Sequence, residues 1–196
     1  MTFRQGKALI YLAEKVLFAI FITHNNAMTS VQDTAEIIKI KVFLEAIGIK
    51  LIPKTLPDST FLRGLDLGPD IVYVDFEKMK YPGDILHEAG HIAVTMPSDR
   101  KLIGSIAMPE GWPTQGDEIA AMLWSFAAAK HLDLPLEFVF HPNGYKGNSA
   151  WLIDNFRNKA YIGLPLLEWY GMALSEQKAA AANKQPFPFM QSWMRE

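Results

Sequence analysis

The stretch Tyr81-Pro82-Gly83-Asp84-Ile85-Leu86-His87-Glu88-Ala89-Gly90-His91 holds two histidines four positions apart, with a glutamate beside the first. On an α-helix, positions four apart lie one turn above each other on the same face. His87 and His91 are therefore expected to hold one metal ion between their imidazoles, and Glu88 to reach a water on that ion. The flanks favour a helix. Pro82 suits a first helical turn, and Asp84 suits a cap or the positive end of the helix dipole. Ile85, Leu86, Ala89, Ile92 and Ala93 supply an apolar face, so the helix is expected to be buried, and Pro97 to end it. A metal gives a buried helix a reason to carry two imidazoles and a carboxylate. Gly90 leaves room for another backbone to approach.

A catalytic zinc usually has three protein ligands and one open position. The chain has no cysteine, so the third ligand must be His, Asp or Glu. Glu118 is the best candidate. Thr114 with Asp117 three residues on reads as a capping box, which puts Glu118 in the first turn of a helix over 116–131. Ala121, Ser125 and Ala128 or Ala129 continue its side with small groups, as two helices sharing one ion require. Asp117 is the alternative ligand. Ahead of the His87 helix, residues 70–76 are β-branched and aromatic and read as a strand.

Strand, short loop, H-E-x-x-H helix and then a glutamate on a second helix resemble the zincin metallopeptidases. The likeness is to their gluzincin branch, and within it to the compact ImmA/IrrE-like proteins. It covers about residues 71–131. It implies a zincin-like α+β fold, a Zn2+ cofactor on His87, His91 and Glu118, and Glu88 as general base. It also implies a strand edge beside the site that accepts an extended peptide. Where some gluzincins place an aspartate four residues after the ligand glutamate, this chain has Met122. The acceptor that orients a ligand histidine must then come from Asp75, Asp84, Asp117 or a backbone carbonyl.

The rest of the chain is read around that centre. Over 196 residues, 49% are apolar, 20% are charged and the net charge is −2, which indicates a globular domain without the basic footprint of a nucleic-acid binder. One domain spanning 1–196 is expected. The absence of cysteine excludes disulfides and thiolate sites and is compatible with a cytoplasmic location. Leu9, Leu12, Ala13, Val16, Leu17 and Ile20 fall on one helical face, and the apolar run there is too short to span a bilayer. A helix from the Ser30/Asp33 region to Ile47 is expected, then strands over 49–56, 60–67 and 71–76. These make a small, mostly N-terminal sheet of about three strands packed against helices. A long loop over 96–113 and a helix-rich C-terminal half follow, with helices near 150–161 and 165–174. The aromatic tail over 186–193 is expected to dock on the body.

These features point to a zinc-dependent hydrolase, a small metallopeptidase acting on a peptide or protein. The alternative is a catalytically weak scaffold of the same kind that binds a peptide or protein partner. A structural zinc domain is disfavoured, since it needs no base at position 88. The donor that steadies the reaction's oxyanion is sought in Tyr145, His141 and His131, with Tyr73 and Tyr161 as weaker candidates.

Overall fold

The computed structural model describes residues 31–196. The helical face expected over residues 9–20 lies outside them. Val31–Asp33 is a single 3-10 turn whose carbonyl at Val31 accepts the Thr34 hydroxyl. Residues 35–196 cluster as one unit, α+β and rich in helix.

Helix α1 (Ala35–Ala46) buries Ile37, Ile40 and Leu44, the three-and-four spacing of one helical face, together with Phe43. Gly48 then turns the chain at φ +91, a conformation open to glycine. Three strands follow: β1 (Lys50–Pro53), β2 (Leu65–Gly68) and β3 (Ile71–Val74). They form one mixed sheet in the order β1-β3-β2, with β1 parallel and β2 antiparallel to β3.

The three expected strands are thus present but shorter. Of the expected 60–67 stretch, only Leu65 onward pairs, because the chain before it is turn, with Gly64 at φ +81 pressed on Met79. β1 stops at Pro53, and the buried Asp75 carboxylate takes the Leu56 N–H at 3.0 Å. The strand ahead of the His87 helix, β3, lies in the middle of the sheet, so the edge is supplied by β2 instead.

Helix α2 (Asp84–Val94) carries the H-E-x-x-H residues. It packs against β2, β3 and α4 (Gln115–His131). Ile85, Leu86 and Ile92 are fully buried. Burial of side chains of this size stabilises by about 1.5–3 kcal/mol each. The helix ends earlier than Pro97 suggested. Thr95 is its C-cap, and Pro97 instead opens the short helix α3 (Pro97–Arg100) at a first-turn position, where its missing N–H costs no bond.

Beyond α4 come α5 (Leu136–Val139), α6 (Ser149–Arg157), α7 (Leu164–Trp169) and α8 (Glu176–Ala182). The tail docks. Phe187 and Met190 are buried, the Trp124 indole donates to the Trp193 carbonyl, and the Arg195 N–H donates to Ala93 at the end of α2. Among the described residues no helix is long and apolar enough to cross a membrane.

Candidate metal centre

Helices α2 and α4 approach so closely because their facing residues are small. A Cβ on Gly90 would meet the Ala121 carbonyl oxygen at 3.0 Å, and Ser125 folds its hydroxyl back onto Ala121. The start of α4 is fixed by its cap. The Thr114 hydroxyl accepts the Asp117 N–H, and the Asp117 carboxylate accepts the Thr114 N–H at 2.9 Å and its hydroxyl at 2.7 Å. Asp117 is therefore consumed as a capping group, and Glu118 is the acid that reaches the histidines.

The three side chains converge. His87 Nε2 and His91 Nε2 stand 3.1 Å apart. Glu118 places one carboxylate oxygen 3.5 Å from His87 Nε2 and the other 3.6 Å from His91 Nε2. Ligands held tetrahedrally at 2.0–2.1 Å around zinc lie about 3.3–3.4 Å from one another. The observed spacings bracket that value, and the N/N/O set is one zinc accepts, so these residues fit the ion. Among the described residues no other group of three acids or histidines converges in this way.

Electrostatics sort the members. Burial drives His91 down to about 4, with the neighbouring His87 adding to the effect, so His91 is a neutral imidazole at neutral pH. Burial also opposes the charge of His87, but its bond to Glu118 and the nearby Glu88 and Asp84 carboxylates outweigh it and raise its pKa. The bond to His87 holds Glu118 below the usual carboxylate range against the opposing effect of burial. The Glu88 carboxylate makes no hydrogen bond to another described residue and lines the cleft beside the site. Burial pushes it up to about 7, within reach of acid–base work at neutral pH.

The Nδ1 atoms of His87 and His91 are buried without a partner. The acids expected to orient them are engaged elsewhere. Asp75 caps Leu56, Asp117 closes the α4 cap, and Asp84 bonds His141 Nε2 at 3.0 Å. Asp84 is also no cap, since Gly83 holds the N-cap position of α2 and no side chain bonds there. His91 is steadied through its backbone instead. The Trp112 indole donates to the Thr95 hydroxyl, which donates to the His91 carbonyl. That relay joins residues far apart in sequence, and only the aromatic type of Trp112 hinted at it.

Of the candidate oxyanion donors, the structure brings Tyr145 to the site. Its ring packs edge-on against His87 with centroids 5.6 Å apart, and its buried hydroxyl has no hydrogen-bond partner. Burial, reinforced by Asp84, Glu118 and Glu88, raises the phenol's pKa, so it remains a donor. Tyr145 and Lys146 are both left-handed, at φ +54 and +55. Such non-glycine residues cost about 1–3 kcal/mol each and gather where a site needs them. His141 lines the same cleft with its Nε2 already given to Asp84 and its ring stacked on Tyr81, and Asn143 donates to the Tyr81 hydroxyl. These contacts tie the turn that delivers Tyr145 to the segment that starts α2. His131 is elsewhere, in an aromatic cluster with Phe43 and Trp193 at the far end of α4. Tyr73 lies under Lys54, and Tyr161 packs on Phe126 and Phe187.

The site opens into a cleft of about 1500 Å3. One wall is β2 with the preceding Phe61, and the other is the 141–152 segment with Trp151. Both aromatics are largely exposed.

The chain matches no protein-family model, no curated protein and no solved structure.

Proposed function

We propose that this protein is a zinc-dependent hydrolase, a small metallopeptidase of the gluzincin type, with His87, His91 and Glu118 as the metal ligands. The observation that carries the reading is the convergence of two imidazole nitrogens and one carboxylate at 3.1–3.6 Å, beside the half-buried Glu88, whose carboxylate bonds no other described residue. A zinc ion held there supplies Lewis acidity, polarising a carbonyl and acidifying a water towards neutrality.

The chain's own residues do the rest. Glu88 accepts the proton of the attacking water and returns it to the leaving nitrogen, a role its pKa of about 7 suits. Tyr145 aims a neutral O–H at the developing oxyanion. The Asp84–His141 pair acts by position, holding the turn that carries Tyr145 against α2. Trp112 and Thr95 hold the backbone of His91. The cleft exceeds the 300–1,000 Å3 usual for small ligands, and its aromatic rims suit a polypeptide segment.

Elemental analysis of protein prepared without chelator tests the reading, with one zinc per chain as the expected result. No zinc, and no uptake on addition, would overturn it. Zinc retained together with no cleavage of any member of a randomised peptide library would favour the binding scaffold over the enzyme.

A further inference from the structure

The outer edge of β2 is where an extended chain would be expected to pair with the sheet, because Leu65, Asp66 and Leu67 line the cleft and β2 has β3 on one side only. The Asp75 N–H donates to the Gly64 carbonyl, and the antiparallel register then makes Asp66/Tyr73 and Gly68/Ile71 the bonded pairs. Leu65 and Leu67 therefore turn their backbone groups outward. Of those four groups, three are in use or covered. The Leu65 N–H donates to Leu62, and the Leu67 N–H donates at 2.9 Å to the Asp66 carboxylate. The Leu67 carbonyl is covered by Gly104, where a Cβ would sit 2.6 Å from its oxygen.

We infer that residues 102–108 form a built-in blocker of the β2 edge, and that a polypeptide substrate must lift it to pair with β2. This rests on reading the cleft as a polypeptide site.

The way the segment is held suits that task. Ile103 is buried and anchors one end. The Trp112 indole, bonded to Thr95, anchors the other. Between them the hydrogen bonds are internal. Ser105 bonds Leu102 through both its N–H and its hydroxyl, and Met108 and Ala107 donate back to Ser105. No hydrogen bond runs from residues 104–111 to β2, so the segment can leave the edge as a unit with its own bonds intact. Gly104, at φ +80, is where it touches the strand most closely. Asp66 supplies the second closure, a carboxylate standing in for an incoming carbonyl.

The test uses the full chain, zinc-free and zinc-loaded, with a fluorescein-labelled carboxymethylated polypeptide as probe and anisotropy as readout. In Gly104→Ala the new methyl cannot coexist with the Leu67 carbonyl, so the segment must move off the edge. Asp66→Ala frees the Leu67 N–H, whereas Asp66→Asn keeps an accepting oxygen. The alanine variants should each bind the probe about 3- to 10-fold more tightly than the parent, the worth of roughly one net hydrogen bond, and Asp66→Asn should bind as the parent does. Hydrogen exchange of amides 102–108 should quicken in Gly104→Ala. Parent-like or weaker binding by both alanine variants, with unchanged circular dichroism, overturns the blocker. If Gly104→Ala fails to fold, the parent decides: its amides 102–108 should exchange faster with the probe bound, and unchanged exchange overturns the blocker. The zinc-free arm keeps the two readings apart, because a protein that takes up no zinc but whose variants gain affinity loses the hydrolase reading and keeps the blocker.

Discussion

Gly90 on α2 and Ala121 on α4 meet backbone to backbone. A Cβ at position 90 would lie 3.0 Å from the Ala121 carbonyl oxygen and 3.2 Å from its Cα. His91 is the next residue on one helix, and Glu118 lies three residues earlier on the other. The contact therefore sets the separation at which the ligands meet. Glycine costs about 1 kcal/mol of helix propensity relative to alanine, and at this position the loss secures the approach of the two helices.

Gly90→Ala should accordingly lower zinc affinity by about tenfold, a size usual for changes that misorient ligands, while the melting temperature of the metal-free protein moves little. Helix propensity and crowding oppose each other in the stability but not in the affinity. Zinc titration against a competing chelator checks the first and thermal unfolding the second. Parent affinity in this variant would show that the helix spacing has slack.

Glu118 and Asp117 are neighbours with separate tasks, and substitution should separate them. Glu118→Gln should weaken zinc binding by more than about 100-fold, beyond what loss of an outer support costs, with the circular dichroism unchanged. Asp117→Ala should keep one zinc per chain and lose about 1 kcal/mol of stability, the usual cost of a lost cap. The reverse pattern would make Asp117 the ligand.

What was legible in the sequence was local. The H-E-x-x-H spacing places two imidazoles on one helix face. The Thr114/Asp117 cap fixes the start of α4, and Gly90, Ala121 and Ser125 mark the faces where two helices come close. Those rules act over a few residues, and α2 and α4 obey them. The arrangement around them depends on distant partners. The sequence does not say that β3 would pair with both other strands and leave β2 outermost. It does not say that Asp84 would choose His141, 57 residues on, over a ligand histidine. Tyr145 was one of several donors of equal standing. Its selection comes from a left-handed turn at two non-glycine residues, which propensity argues against.

Tyr145→Phe tests that selection. The ring and its contact with His87 are kept, and only the hydroxyl is lost. Because that hydroxyl has no partner in the free protein, stability should hold or rise slightly. Zinc content should be unchanged, and kcat on a cleaved peptide should fall by about 10²–10³ with KM little altered, as for a removed oxyanion donor. A fall in KM-dependent binding with unchanged kcat would instead make the phenol a substrate contact.

Glu88→Gln carries the mechanism. The amide keeps the shape but cannot accept a proton, so zinc content should stay at the parent level while hydrolysis falls by about 10²–10⁴. The same variant has a signature in the metal-free protein. Glu88 is raised from 4.5 to about 7 in the folded state. A carboxyl raised in this way contributes stability that is fully present below its unfolded value and is lost as pH rises through about 7. His91 acts in the opposite sense, since it is lowered from 6.5 to about 4 and its contribution is lost as pH falls through that range. The parent's profile mixes the two, but the difference between parent and Glu88→Gln reads the carboxyl together with the share of the His87 shift that Glu88 causes, and both are lost as pH rises. The variant's melting temperature should gain on the parent's between about pH 4.5 and pH 7 and level off above that. A difference that stays flat across that window would mean Glu88 ionises as freely as in water, and the buried, proton-holding base described here would not exist.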